Sequence, residues 1–150
     1  MIVYRITKST RASDISGYGA SVYPGRWNKK GAFVLYTGES REIALLESIV
    51  HIPPMMIPEL DILTIEIPDN SMTVLTPEDL PPNWYRFPAP TILSDIGQQW
   101  INEGKTLALK VPSSIIHSAN NVILNCQHKD YHAVKILSHQ KFYFDSRLRK

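Results

Sequence analysis

Pro77, Pro81, Pro82, Pro88 and Pro90 crowd one short stretch, TPEDLPPNWYRFPAP. Neither a helix interior nor a central strand tolerates so many missing amide donors, so this segment reads as irregular surface chain. A chain of 150 residues suits one domain, spanning 1–150, with one substantial core. Hydrophobic residues at 43% and charged residues at 20% match ordinary globular usage and exclude a disordered composition. No apolar run approaches the roughly 20 residues of a membrane helix. The opening MIVYRITKSTR turns polar too early for a secretory leader, which predicts none. A single cysteine, Cys126, excludes an internal disulfide and any multi-cysteine zinc site. These features predict a cytoplasmic protein with no membrane contact. Sixteen basic against 14 acidic residues leave a net charge of +2, too little to predict direct nucleic-acid binding.

Strand patterns outnumber helical ones. Apolar alternation or short apolar runs predict strands over Ile2–Ile6, Ala32–Thr37, Leu60–Ile67, Thr106–Val111, Asn121–Leu124 and Lys141–Phe144. Two segments read as helices. In Ser40–His51, Ser40 caps, Glu42 complements the first turn and Pro53–Pro54 forbid continuation. In Thr91–Glu103, Ile92, Leu93, Ile96 and Trp100 form one stripe and Gly104 supplies the stop. Strands and helices do not alternate regularly, so the expected class is α+β rather than a doubly wound sheet. The stretch from Thr7 to Gly31 has no clear period. Its glycines and the aromatics Tyr18, Tyr23 and Trp27 predict an ordered binding loop.

Glu47 is the most informative single position. On a helical wheel it lies beside Ile43, inside the apolar arc that Val50 and Ala44 flank. Either it snorkels from the edge of the core, or it turns into a cleft where a desolvated carboxylate must be paired or functional. Arg26 in PGRWN is its natural counterpart. Gly25 would allow close backbone approach to a ligand, Trp27 would offer a flat apolar face, and Asn28 would hold a turn. A guanidinium there suits bidentate phosphate binding; the bland alternative is a solvated arginine on a surface turn. No Walker signature or GxGxxG supports a phosphate loop. Ser113 follows a strand end without a G-x-S-x-G elbow, which argues against a serine-hydrolase triad. His128 and His132 stand four apart and would share a helix face, but no third ligand accompanies them, so no metal is expected. Cys126 reads as a packed small hydrophobe.

The order GRWN, LYTGES, ALLE, VPS and N-x-x-x-N resembles the RES domain, named for its Arg, Glu and Ser. Those positions here are Arg26, Glu47 and Ser113, with Tyr36 between the first two. The similarity runs from Tyr4-Arg5 to the closing FDSRL. Asn125-Cys126 departs from the Asn-Pro that the family often shows there. The resemblance implies an ADP-ribosyltransferase-like fold and a toxin of a bacterial toxin–antitoxin pair that cleaves the nicotinamide–ribose bond of NAD⁺. NAD⁺ is then a substrate, and no cofactor or metal is implied. Glu47 would stabilise the developing oxocarbenium, Arg26 would clamp the pyrophosphate, and Tyr36 would pack on nicotinamide and direct its hydroxyl into the site. Ser113 would hydrogen-bond the carboxamide or a phosphate oxygen, with Trp27 and Asn125 completing the NAD⁺ contacts. Water as acceptor makes a glycohydrolase, phosphate a phosphorylase and a protein side chain an ADP-ribosyltransferase. From another class, the rival is a noncatalytic interaction module. The implied partner is an Xre-like helix-turn-helix antitoxin contacting Thr7–Gly31, with homodimerisation inside that assembly left open.

Overall fold

The computed structural model describes residues 1–53, 55–56 and 58–148. Its strands are β1 (Ile2–Lys8), β2 (Val34–Gly38), β3 (Leu60–Glu66), β4 (Met72–Val74), β5 (Ala108–Pro112), β6 (Asn120–Asn125) and β7 (Lys135–Phe142). They form one seven-stranded sheet in the order β4-β5-β6-β2-β1-β3-β7. Pairing is antiparallel throughout except for β4 with β5. The helices are α1 (Tyr18–Val22), α2 (Arg41–His51) and α3 (Thr91–Glu103). No described helix is long and apolar enough to cross a membrane.

The central strands are covered on both faces, and that explains their nearly unbroken apolar runs. On β6, Val122 and Leu124 join a cluster with Val3, Leu35 and Leu63, while Ile123 faces the opposite way. Ile123 packs with Val34, Leu109 and Val111 beneath Trp27, Trp84 and the α3 residues Leu93 and Trp100. Helix α2 lies over β1 and β3 through Ala44, Ile6 and Leu60. Its start follows the sequence closely. Ser40 Oγ accepts the Ile43 amide at 3.2 Å, and Glu42 occupies the first turn.

The expected α+β class is present, built on one mixed sheet, with three departures. The stretch Thr7–Gly31 contains a 3-10 turn at Ser9–Arg11 and the short helix α1, whose five residues are too few to show a period. Strand β4 spans three residues, too few to show alternation. Strand β7 begins at Lys135, not Lys141. It is an edge strand exposed over most of its length, so its polar KILSHQKF carries no buried face to betray it.

One pairing defect positions everything that follows. β1 and β3 run in register from Ile2↔Glu66 to Lys8↔Leu60. On its other side β1 meets β2 only at Tyr4↔Gly38. Beyond that bridge the two strands diverge, and the sheet opens between Arg5–Lys8 and Val34–Thr37.

Helix α3 reaches the loop beside this opening through Gly97. A Cβ built there would sit 1.7 Å from the Trp27 carbonyl oxygen. Gly97→Ala must therefore push α3 from the loop carrying Arg26, and overpacking of this kind costs about 1–3 kcal/mol. We expect a clearly lowered thermal midpoint for this variant; an unchanged midpoint would contradict the close packing of α3 on Trp27.

Candidate active site

The opening between β1 and β2 is the floor of a cleft of about 1190 Å³, bordered by Arg5, Thr7, Lys8, Val34, Tyr36 and Thr37 from the two strands. That is above the roughly 300–1,000 Å³ typical of drug-sized ligands. Helix α2 contributes Glu47 to the lining, the loop before β2 contributes Arg26, and the proline-rich segment contributes Tyr85 and Phe87.

Strands that part leave backbone groups unpaired, and a buried carbonyl needs a donor. Arg5 supplies one, its Nη1 donating to the Tyr36 carbonyl at 2.8 Å across the gap. Its Nε is buried with no partner. Burial holds the Arg5 pKa below its ordinary value, opposed by the nearby Cys126, Tyr131 and Asp14. Arg5 thus places a positive charge at the base of the cleft.

Glu47 faces the cleft from α2, with its position fixed from the far side. Ser113 Oγ and Asn121 Nδ2 both donate to Oε1, each at 2.9 Å. The Ser113 hydroxyl has little choice of direction. The Ile115 and Ile116 amides donate to it at 3.0 and 3.2 Å, so its one proton goes to Glu47. Among the described residues nothing donates to Oε2, which leaves that oxygen for a ligand in the cleft.

Arg26 is half-buried and bridges two parts of the site. Its Nη1 donates to the Trp84 and Arg86 carbonyls at 2.9 and 3.0 Å. Its other donors, on Nε and Nη2, have no protein partner among the described residues, so a fork suited to phosphate is still available. Desolvation lowers the Arg26 pKa, while Glu47 and then Tyr36 act in the opposite sense.

Four positions differ from the sequence reading. Ser113 is 0% exposed, and its hydroxyl proton goes to Glu47. The Tyr36 hydroxyl does not point into the cleft. It donates to Asn28 Oδ1 at 2.7 Å and accepts the Trp27 amide at 3.0 Å. Burial raises its pKa, so the phenol stays protonated as that network requires. Trp27 is 3% exposed and its ring belongs to the core under α3. Asn125 is also buried, at the opposite end of β6 from Asn121, where its Oδ1 accepts the Gln127 amide at 3.1 Å. Both ends of N-x-x-x-N look alike in sequence, but only Asn121 reaches Glu47.

Gly25 is needed for the Tyr36 ring rather than for a ligand. A Cβ there would lie 2.7 Å from Tyr36 Cζ. Asn28 then ties the loop together, accepting the Gly25 amide at 2.8 Å and donating to the Ala20 carbonyl at 2.9 Å. Cys126 packs against the Ile15 and Leu124 carbonyls, and burial pushes its thiol up to about 11. His128 and His132 lie in consecutive turns rather than on one helix face, and His128 Nδ1 accepts the Asp130 amide. Sequence reasoning gave no role to Arg5 or to Asn121. The available signal was a lone arginine in the apolar strand IVYRITK and a lone amide pair opening NNVILN.

Comparison with known proteins shows which proteins this chain is similar to. The chain is 39% identical to a protein named Toxin Res from Yersinia enterocolitica, over 99% of this chain and 100% of that one. It is 35% identical to a protein named Prs ADP-ribosylating toxin from a Sphingobium species, over 97% and 94% of the two chains. Its fold matches the crystal structure of the Mycobacterium tuberculosis MbcT–MbcA toxin–antitoxin complex with a TM-score of 0.78. That match covers 94% of this chain and 83% of the other at 17% identity. The RES domain model matches residues 2–145, and the chain belongs to the RES-domain family.

Proposed function

We propose that this protein is the toxin of a toxin–antitoxin pair and that it acts in the cytoplasm by breaking the nicotinamide–ribose bond of NAD⁺. The observation that carries this reading is the Glu47 carboxylate, held at the cleft wall by Ser113 and Asn121 with Oε2 free. Cleavage of an N-glycosidic bond beside a cationic ring builds positive charge on the ribose. A carboxylate already fixed where that charge develops stabilises the transition state more than the ground state. The relatives named as toxins support the toxin reading, and the one named as ADP-ribosylating supports the donor chemistry.

Arg5 and Arg26 hold the pyrophosphate in this reading, Arg5 from the floor of the split and Arg26 through its free fork. As the C1′–N bond breaks, its electron pair leaves with nicotinamide. An acceptor oxygen then forms the new bond at C1′ and releases its proton. Water or phosphate as acceptor gives net NAD⁺ consumption. The ADP-ribosylating relative favours a protein side chain as the second reading, which uses the same donor site. An antitoxin that seats a segment in the cleft would meet Tyr18 and Tyr23, which are exposed and border it. Trp27 also borders the cleft, but at 3% exposed it offers such a segment little surface.

Purified protein incubated with NAD⁺ should release free nicotinamide, and Glu47→Gln should slow that release by about two to three orders of magnitude. The glutamine retains an Oε1 acceptor for Ser113 and Asn121, so its thermal midpoint should stay near that of the wild type. Nicotinamide release at the wild-type rate would remove Glu47 from the reaction. Added phosphate or candidate target protein, with the product identified by mass, separates the acceptors. Arg26→Lys keeps the charge but loses the planar fork, so KM for NAD⁺ should rise about tenfold while turnover persists. Unchanged kinetics would take Arg26 out of the phosphate clamp.

A further inference from the structure

The proline-rich segment does more than close the surface. Between Asn83 and Ala89 it arches beside the cleft, anchored below by Trp84, which is 6% exposed in the core with α3. The two main-chain bonds from Arg26 pin the arch from the side. What it presents to the cleft is aromatic. Tyr85 is 42% and Phe87 89% exposed, and both border the cavity. Such exposure of large rings next to a ligand-sized cleft is costly to leave uncovered.

Tyr85 is also held in place. Its ring meets Trp84 edge-on at 5.8 Å and His117 at 4.9 Å, and His117 packs on Trp84 at 4.9 Å. His117 belongs to the turn that begins at Ser113, the residue that fixes Glu47. One short turn thus connects the carboxylate to the aromatic arch. Of the cationic side chains, Arg5, Lys8 and Arg11 enter the cleft from β1 and the turn after it, a different wall. Arg26 lies between that wall and the arch it bonds.

We propose that the Tyr85–Phe87 arch is the subsite for the flat, cationic leaving group, the pyridinium ring of the dinucleotide, and that it sets specificity for that ring. This rests on the NAD⁺ reading above. A dinucleotide has a base at each end of its pyrophosphate, and the one next to the reacting ribose must lie on the Glu47 side of the phosphates. The arch is an aromatic surface joined to Glu47 through the turn from Ser113 to His117. A pyridinium stacked there gains from the electron-rich faces of Tyr85 and Phe87, a gain lost once the ring departs neutral.

The test compares NAD⁺ with ADP-ribose, which has the adenine and pyrophosphate but no pyridinium. Tyr85→Ala and Phe87→Ala leave the Trp84 and Arg86 carbonyls in place for Arg26. Phe87 is so exposed that its loss cannot unfold the core. Both variants should raise KM for NAD⁺ by about five- to tenfold in nicotinamide release, in line with a lost cation–aromatic contact. Calorimetric binding of ADP-ribose should change by less than about twofold, since the ring it lacks is the one the arch is to hold. Tyr85→Phe, which keeps the ring, should restore KM. An unchanged KM in both alanine variants overturns the proposal, as does an equal loss of ADP-ribose binding, which would put adenine on the arch. A wild-type protein that neither releases nicotinamide nor binds ADP-ribose instead overturns the NAD⁺ reading, before any variant is made.

Discussion

The parting of β1 from β2 is the constraint on which the rest of the structure depends. Two neighbouring strands that pair at one point and then separate expose backbone carbonyls that a continuous ladder would have satisfied. The arginine on β1 closes part of that deficit by donating to the Tyr36 carbonyl. The same side chain keeps an unpartnered buried Nε. The gap therefore comes with a positive charge built into it, which favours an anion there. A continuous sheet at this place would have no cleft and no use for Arg5.

Around that gap, the residues named for catalysis divide into those that face a ligand and those that hold others in place. Glu47 and Arg26 face the cleft. Ser113 stands behind Glu47, its own acceptor positions filled by two amides so that its proton has one destination. Tyr36 stands behind the Arg26 loop, locked by Asn28 and the Trp27 amide. Both hydroxyls support the site from its far side. Orientation of this kind is worth as much to a reaction as contact, because a misplaced charge stabilises nothing.

Much of this was legible in the sequence, for identifiable reasons. The cap at Ser40 and the alternation of LDILTIEIP follow from local rules and appear where those rules put them, as does the stripe of α3 except for Ile92, which is exposed. Glu47 stood out because a carboxylate within an apolar helical arc violates a pattern. What sequence could not show was direction. Trp27 and Asn125 carry the same residue types whether they face a ligand or the core, and burial alone separates the two. Asn121 and Asn125 share one strand, and only the sheet register decides which meets α2. The split itself left almost no trace, since β1 pairs fully with β3 and reads as an ordinary strand.

The central claim is that the split binds the dinucleotide's phosphates while Glu47 meets its ribose, and a structure of Glu47→Gln with NAD⁺ bound tests it most directly. The account predicts the pyrophosphate between β1 and β2 within hydrogen-bond distance of the Arg5 and Arg26 guanidinium groups. It also predicts the nicotinamide ribose against the side chain at position 47. A dinucleotide bound outside the split, or one whose phosphates touch neither arginine, would contradict it.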